Sequence, residues 1–479
     1  MSSLKDKTIK GVFWSAVERF SAQGIHFLFN IFIARILSPS DFGVIAMINV
    51  FLNLSQTFID CGFGVAIIRK VDRTENDLST VYIFNVLTSL LFYSVFWILS
   101  PHIAHFYNLP DLLSITRVIS ITLVISSFAG VHYSLLSINV DFKTRAKISI
   151  ISSVLAGSLC LFLAYNGYGY WALVAQSVLA CLVKTALVIY HVKWKPRFLF
   201  SWASFKYLFS FGGRLLLSGL VDTIYNNLYT LVIGKKFTAS SLGEFTKAET
   251  YAKFPASNLT GALQAVVLPI LSDVQNDEKI LVNYFSRFIS LSIYLIFPVM
   301  LVLVSIAEPL VDVVLTSRWA GIVPLFRLLC LDLMLYPVHA LNMSLLQVKG
   351  RSDLYLRSEI IKKVVGLLVL IMSIPHGIYY MCIGKVISSI LYLIPNILFT
   401  SRIVDFGFIK QLRIIVPQLL LSVSMAVVVY IIISFINTPC MQVLLGLVVG
   451  GLYYVGVSYF FGIEDINELA SLLKIIIKR

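Results

Sequence analysis

The sequence predicts an all-α polytopic membrane protein: about 14 transmembrane helices, as two pseudo-symmetric six-helix bundles plus two C-terminal helices. Three observations predict this. Of 479 residues, 58% are apolar and only 13% charged, with a mean hydropathy of +0.88; a soluble domain is about 25% charged. Apolar runs of spanning length recur from end to end. Basic residues concentrate in alternate connections between those runs. No stretch is long and polar enough to fold as a separate soluble domain.

The runs lie at 12–34, 43–66, 80–100, 114–137, 147–165, 168–190, 207–233, 245–271, 284–306, 322–347, 360–375, 377–400, 412–434 and 439–461. Each is near the roughly 20 residues that cross about 30 Å of hydrocarbon. The first is read as a retained span and not a cleaved signal, because it carries Glu18 and Arg19 and has no clear small-residue cleavage site. Residues 462–479 place Ile463, Ile466, Leu469, Leu473 and Ile476 on one helical face, the pattern of an amphipathic helix on the inner membrane surface. The expected organisation is an N-terminal bundle over 1–198, a second over 199–404, two added helices over 405–461 and the amphipathic tail.

Charge sets the orientation. Lys5, Lys7 and Lys10 precede the first span, and alternate loops carry Arg69, Lys70 and Arg73; Lys143, Arg145 and Lys147; Lys193, Lys195, Arg197 and Lys206. The alternation continues through Lys349–Lys363, Arg402–Arg413 and the C-terminal Lys474, Lys478 and Arg479. This places both termini in the cytoplasm. Arg35, Arg318 and the trio Lys235, Lys236 and Lys247 depart from the rule on the outer side.

The net charge of +14 is explained by these loops, so no nucleic-acid partner is expected. Six cysteines occur without a paired CxxC spacing, which argues against a disulfide framework or a zinc site. There is no GxxxxGK[ST] phosphate loop, HExxH pair or GxSxG elbow. An enzyme is not expected, nor a cofactor or metal. The outer loops are too short for the catalytic loop of a polymerase or ligase.

The first half repeats in the second. Arg35-Ile36-Leu37-Ser38-Pro39-Ser40-Asp41-Phe42-Gly43 matches Lys235-Lys236-Phe237-Thr238-Ala239-Ser240-Ser241-Leu242-Gly243 at an offset of 200. Polar residues inside the spans form stripes. Ser15, Arg19, Gln23, His26 and Asn30 share one face of the first span; Ser210, Arg214, Ser218, Asp222, Tyr225, Asn226 and Tyr229 share one face of the seventh. The second carries Asn49, Asn53, Gln56 and Asp60, and the eighth Glu249, Lys253, Thr260 and Gln264. A charge at the bilayer centre costs at least about 2.5–3.5 kcal/mol. The stripes therefore face one another or water, and the expectation is a hydrated cleft lined by these four spans.

Arg19 and Arg214 are permanently charged forks that suit phosphate oxygens. They would hold a diphosphate, or they would pair within the protein: Arg19 with Glu18 or Asp60, Arg214 with Asp222. Lys253, Gln23, Asn30, Asn49, Asn53 and Asn226 complete the candidate cleft. Glu18, Asp60, Asp222 and Glu249 are candidates for ion coupling or for ion pairing with the neighbouring arginines.

The segment Ile33-Ala34-Arg35-Ile36-Leu37-Ser38-Pro39-Ser40-Asp41-Phe42-Gly43, with Phe58-Ile59-Asp60-Cys61-Gly62-Phe63-Gly64 and Ile67-Ile68-Arg69-Lys70, resembles the opening motifs of bacterial polysaccharide exporters. The resemblance is to the Wzx-type lipopolysaccharide and polysaccharide flippases, in particular the colanic-acid-exporter-like branch of the multidrug/oligosaccharidyl-lipid/polysaccharide superfamily. It implies two six-helix bundles around a V-shaped cavity. It also implies transfer of a polyprenyl-diphosphate-linked oligosaccharide from the cytoplasmic to the outer leaflet by alternating access. The implied partners are the lipid-linked oligosaccharide, membrane lipids, and a polysaccharide polymerase with its export machinery. The alternative is an ion-coupled small-molecule antiporter of the same superfamily; a cavity for cations would be net acidic, whereas Arg19, Arg214 and Lys253 counter the acids here.

Overall fold

The computed structural model describes residues 23–463 and residue 465. The expectations for Ser15, Glu18 and Arg19, and for the tail beyond Ile463 other than Asp465, lie outside the described residues. Every regular element described is helical. In chain order these are α1 (Gln23–Ile36), α2 (Pro39–Asp60), α3 (Phe63–Arg69), α4 (Glu75–Tyr107), α5 (Leu112–Ile119), α6 (Ile121–Ser127), α7 (Gly130–Ile138), α8 (Phe142–Tyr165), α9 (Tyr170–Val192) and α10 (Trp202–Lys236). Then follow α11 (Ala239–Asp273), α12 (Glu278–Ser305), α13 (Ala307–Val314), α14 (Ile322–Met334), α15 (Tyr336–Val348), α16 (Ser352–Ser373), α17 (Ile378–Ser401), α18 (Phe408–Ser434) and α19 (Pro439–Phe460).

Thirteen of the fourteen apolar runs, and the described part of the first, coincide with one of these helices or with a consecutive group of them. Among the described residues, ten continuous helical segments are long and apolar enough to cross a membrane, α2–α3 and α14–α15 each counting as one. The α5–α6 and α7 pair, bent by 42°, makes an eleventh. The remaining three runs correspond to α1, described only from Gln23, and to α10 and α16. Those two have spanning length but carry more polar and charged side chains. The chain is a multi-pass membrane protein.

Two compact units divide at Gly243 and Glu244. In the first, α2 sits at the centre and packs on α4, α9 and α10, while α8 pairs with α9. The repeat assigns α10 to the second half, yet α10 packs within this unit on α2, α3 and α4. Close approach explains it. Gly62 has a left-handed φ of +68°, and a Cβ there would strike Leu215 and the Gly212 backbone. A Cβ on Gly212 would in turn strike the Cys61 carbonyl.

The repeated motif has a direct structural counterpart. Ser38 caps α2 in a reciprocal box with Asp41, whose carboxylate accepts from the Ser38 backbone N–H at 2.9 Å. Thr238 caps the start of α11, its Oγ1 accepting from the Ser241 N–H at 3.2 Å. The two helix starts pack against each other: a Cβ on Gly43 would overlap the Ala239 carbonyl, and a Cβ on Gly243 the Pro39 carbonyl. The two glycines thus play equivalent roles, as an offset of 200 requires.

In the second unit, α12 packs on α14, α15 and α18, and α16 on α17. The added helices α18 and α19 pack on α12, and α19 also on α13. Gly446 and Gly450, one turn apart on α19, face Ile306 and Val302 and let it approach closely. Asp465 is buried and accepts from Ser290 Oγ and Gln418 Nε2, both at 2.9 Å.

The Gly43 contact is testable. Gly43→Val forces a branched side chain into backbone and should cost about 3 kcal/mol. That would appear as a clear drop in the thermal midpoint of the detergent-solubilised protein. Gly456→Ala, where nothing lies within 4 Å of the added Cβ, should leave the midpoint unchanged.

Candidate functional site

The site is built on a helix whose polarity is reversed relative to a lipid-facing one. The buried side of α2 is apolar, with Ile45, Ile48, Val50, Leu52 and Ile59. Its exposed positions include Asn49, Asn53 and Asp60. Between them Gln56 donates to Asp60 Oδ1 at 2.9 Å and accepts from Ser126 Oγ of α6 at 3.3 Å. The contrast with α4 is direct: α4 exposes Leu87, Leu90, Leu91, Trp97 and Ile98. Apolar exposed side chains suit lipid; polar ones at mid-helix do not, because hydrocarbon offers them no hydrogen bond.

The neighbouring α10 carries the same kind of face. Arg214, Ser218, Asp222 and Asn226 are all exposed. The two helices meet beside these stripes, where Thr57 Oγ1 and Thr223 Oγ1 lie 3.1 Å apart and Gly219 faces the Thr57 methyl. Asp60 and Arg214 sit near the Gly62–Gly212 contact, which fixes both backbones. The Arg214–Asp222 ion pair weighed from the sequence does not form, and among the described residues Arg214 has no ion-pair partner. The side chains of Asn49, Asn53 and Asn226 likewise make no hydrogen bond to a described residue. In α1, Gln23 is exposed, and Asn30 and His26 are within 3.3 Å of each other.

In the second unit, Lys253 is exposed on α11. Glu249, one turn earlier, is ion-paired with Lys385 of α17 at 2.5 Å. Gln264 donates to Ser344 Oγ at 3.2 Å, and Thr260 is buried. Sequence reasoning missed Lys385. It is the one basic residue in α17, and that isolation was the available signal. In the repeated motif, Lys235 lies over the Phe106 ring at 4.2 Å and donates to the Phe106 carbonyl.

The polar face of α2 thus has the chemistry of a water-lined wall. With the six native cysteines replaced, Asn53→Cys should react with a membrane-impermeant maleimide in vesicles opened to both sides, whereas Leu91→Cys should resist it. Equal protection of both would place the α2 face in lipid or in tight packing.

A profile of the polysaccharide biosynthesis protein family matches residues 32–324. The chain is 28% identical over 367 residues to the lipopolysaccharide biosynthesis protein WzxC of Escherichia coli (strain K12), covering 75% of this chain and 74% of that one. It is 26% identical over 356 residues to the teichuronic acid biosynthesis protein TuaB of Bacillus subtilis (strain 168), covering 74% of each. The lipid II flippase MurJ in an inward closed conformation has a similar fold, with a TM-score of 0.79 at 15% identity over 94% of this chain and 98% of that one. The profile spans more than half of the chain, from the end of α1 through the start of α14, and takes in both copies of the repeated motif. This chain belongs to the polysaccharide biosynthesis protein family.

Proposed function

We propose that the chain is a flippase for polyprenyl-diphosphate-linked oligosaccharide, carrying it from the cytoplasmic to the outer leaflet of a bacterial plasma membrane by alternating access. The observation that carries this reading is Arg214: an exposed guanidinium inside a helix bundle, on a polar face, with no carboxylate partner among the described residues. An arginine is always charged. Inside a membrane it needs water or an anion, and a diphosphate offers the oxygen geometry that its fork matches. Arg19, Lys253, Gln23, Asn30, Asn49, Asn53 and Asn226 complete the proposed substrate-binding set. Glu18, Asp60, Asp222 and Glu249 are the proposed ion-coupling acids.

The physical task fits these residues. A diphosphate and its sugars cannot enter about 30 Å of hydrocarbon without losing their hydration. Amide side chains such as Asn49, Asn53 and Asn226 replace water around sugar hydroxyls. The prenyl chain remains in lipid and needs no enclosure. The names of two similar proteins, the lipopolysaccharide biosynthesis protein WzxC and the lipid II flippase MurJ, support this class of cargo. Both termini lie in the cytoplasm in this reading, and the protein works beside a polysaccharide polymerase and its export machinery.

The test is polymer export in a strain lacking the gene. Removing a charge-assisted contact worth about 1.5–3 kcal/mol predicts a roughly 10- to 100-fold loss. Arg214→Ala should lower cell-surface polymer on that scale at unchanged membrane abundance, and Arg214→Lys should retain part of it. Normal export by Arg214→Ala would remove the headgroup from this arginine.

A further inference from the structure

One end of the first unit carries a strap that the substrate site does not use. Residues 193–201 join α9 to α10 without helical structure. Exposure alternates along its first half: Lys193, Lys195 and Arg197 are exposed, and Trp194 and Pro196 between them are half-buried. That is the period of an extended chain, so the three cations project to one side. Phe198, Leu199 and Phe200 follow, all exposed, with Phe198 at 92%. Lys206, in the opening turns of α10, adds a fourth exposed cation.

The strap is tied down along its length. Trp194 Nε1 donates to Glu75 Oε2 at 3.0 Å, and the Trp194 carbonyl accepts from His132 Nε2 at 3.2 Å. The Arg197 N–H donates to Ser79 Oγ at 3.2 Å and the Ser201 N–H to Thr80 Oγ1 at 3.0 Å. Both hydroxyls are buried on α4, and they satisfy backbone groups that no helix can. Trp194 also packs on the buried cluster that holds Phe63, Ile67, Leu78 and Val131. At the far end Trp202 stacks on Phe205, ring centres 5.1 Å apart, yet stays 62% exposed. The fold itself therefore holds these apolar side chains outward. With 35 residues, α10 is about 52 Å long, more than the hydrocarbon needs, so its first turns and the strap lie at headgroup level.

Nothing nearby balances the charge. The chain has no Asp or Glu between Asp141 and Asp222. Asp141 caps α8, accepting from the Thr144 N–H at 3.1 Å. In the loop before α4, Asp77 pairs with Lys70 at 2.8 Å, Glu75 holds Trp194, and Asp72 is offset by Arg69 and Arg73. Among the described residues, Lys193, Lys195, Arg197 and Lys206 form no ion pair. The preference of basic loops for the cytoplasmic side accounts for their sign. It does not account for the apolar side chains held beside them, which water would leave uncovered. A lipid surface supplies both missing partners, acyl chains for the rings and anionic headgroups for the cations.

We propose that residues 193–206 form a binding surface for anionic phospholipid. Lys193, Lys195, Arg197 and Lys206 take the headgroup phosphates, and Phe198, Leu199, Phe200 and Trp202 enter the upper acyl chains. The occupant is the lipid surface and not the diphosphate cargo, because the cations are spread along an extended segment instead of converging on one anion. The nearest of them along α10, Lys206, is also eight residues from Arg214, about 12 Å of helix. The surface stands on its own charge and exposure and does not depend on the flippase reading.

The test needs no lipid-linked substrate. Full-length protein with its six native cysteines replaced carries a fluorophore at Leu199→Cys and is reconstituted into liposomes of equimolar phosphatidylglycerol and phosphatidylcholine. One lipid or the other bears bromine on its acyl chains. Brominated phosphatidylglycerol should quench the label more strongly than brominated phosphatidylcholine, and high salt should narrow the difference. A label at Leu91→Cys, on the apolar face of α4, should be quenched equally by both, which also reports a folded, inserted protein. Lys193→Gln/Lys195→Gln/Arg197→Gln should lower the local enrichment of phosphatidylglycerol by about five-fold per cation lost. Lys279→Gln/Arg402→Gln/Arg413→Gln, which removes as many cations from other loops, should leave it unchanged. Equal quenching at Leu199 by the two lipids, or the same loss in both triple variants, would overturn the proposal. So would a Leu199 label that neither lipid quenches, since a protein partner or water would then cover the strap.

Discussion

Every polar group inside a bilayer must find a partner, because hydrocarbon supplies none. That constraint orders this molecule. It requires the helices themselves, which close their backbone hydrogen bonds internally. It also separates two kinds of exposed surface. On α4 the exposed side chains are leucine, isoleucine and tryptophan, and lipid can cover them. On α2 and α10 they include asparagine, aspartate and arginine, and only water or a polar cargo can. The second surface exists because the first pair of helices turns its apolar side inward, so the usual amphipathic arrangement is kept while the solvent on the outer side is exchanged.

Close backbone contact makes that inversion affordable in shape. Gly62 and Gly212 bring α2 and α10 together, with Thr57 and Thr223 sharing a hydrogen bond along the same seam. Gly43 and Gly243 bring together the starts of α2 and α11. In each case the helices approach through missing side chains, leaving the larger polar residues on adjacent faces. The same device recurs at Gly446 and Gly450, where α19 joins the second unit. Stability thus draws on small residues and apolar packing.

Much of this was legible in the sequence. Among the described residues the apolar runs emerge as helices because length and hydropathy suffice to specify a membrane-crossing segment. The repeat at an offset of 200 was legible because Gly43 and Gly243 do the same steric work, which fixes residue type. The stripes on α2 and α10 were legible because periodicity reveals a face. Less accessible was which charges pair. Arg214 and Asp222 lie eight residues apart, more than two turns, and spacing alone could not show that Arg214 finds no acid among the described residues. Lys385 was overlooked since it is a single charge in an apolar helix. It gains meaning only when α11 and α17 are packed together and it meets Glu249.

The most direct measurement is translocation in proteoliposomes. A labelled polyprenyl-diphosphate oligosaccharide is placed in both leaflets, and its protection from a membrane-impermeant reagent is followed with and without the purified protein. The flippase account predicts that protein renders the inner-leaflet pool accessible in time, whereas protein-free liposomes keep it protected. Protection that persists with folded, reconstituted protein under an imposed pH gradient and membrane potential would contradict it.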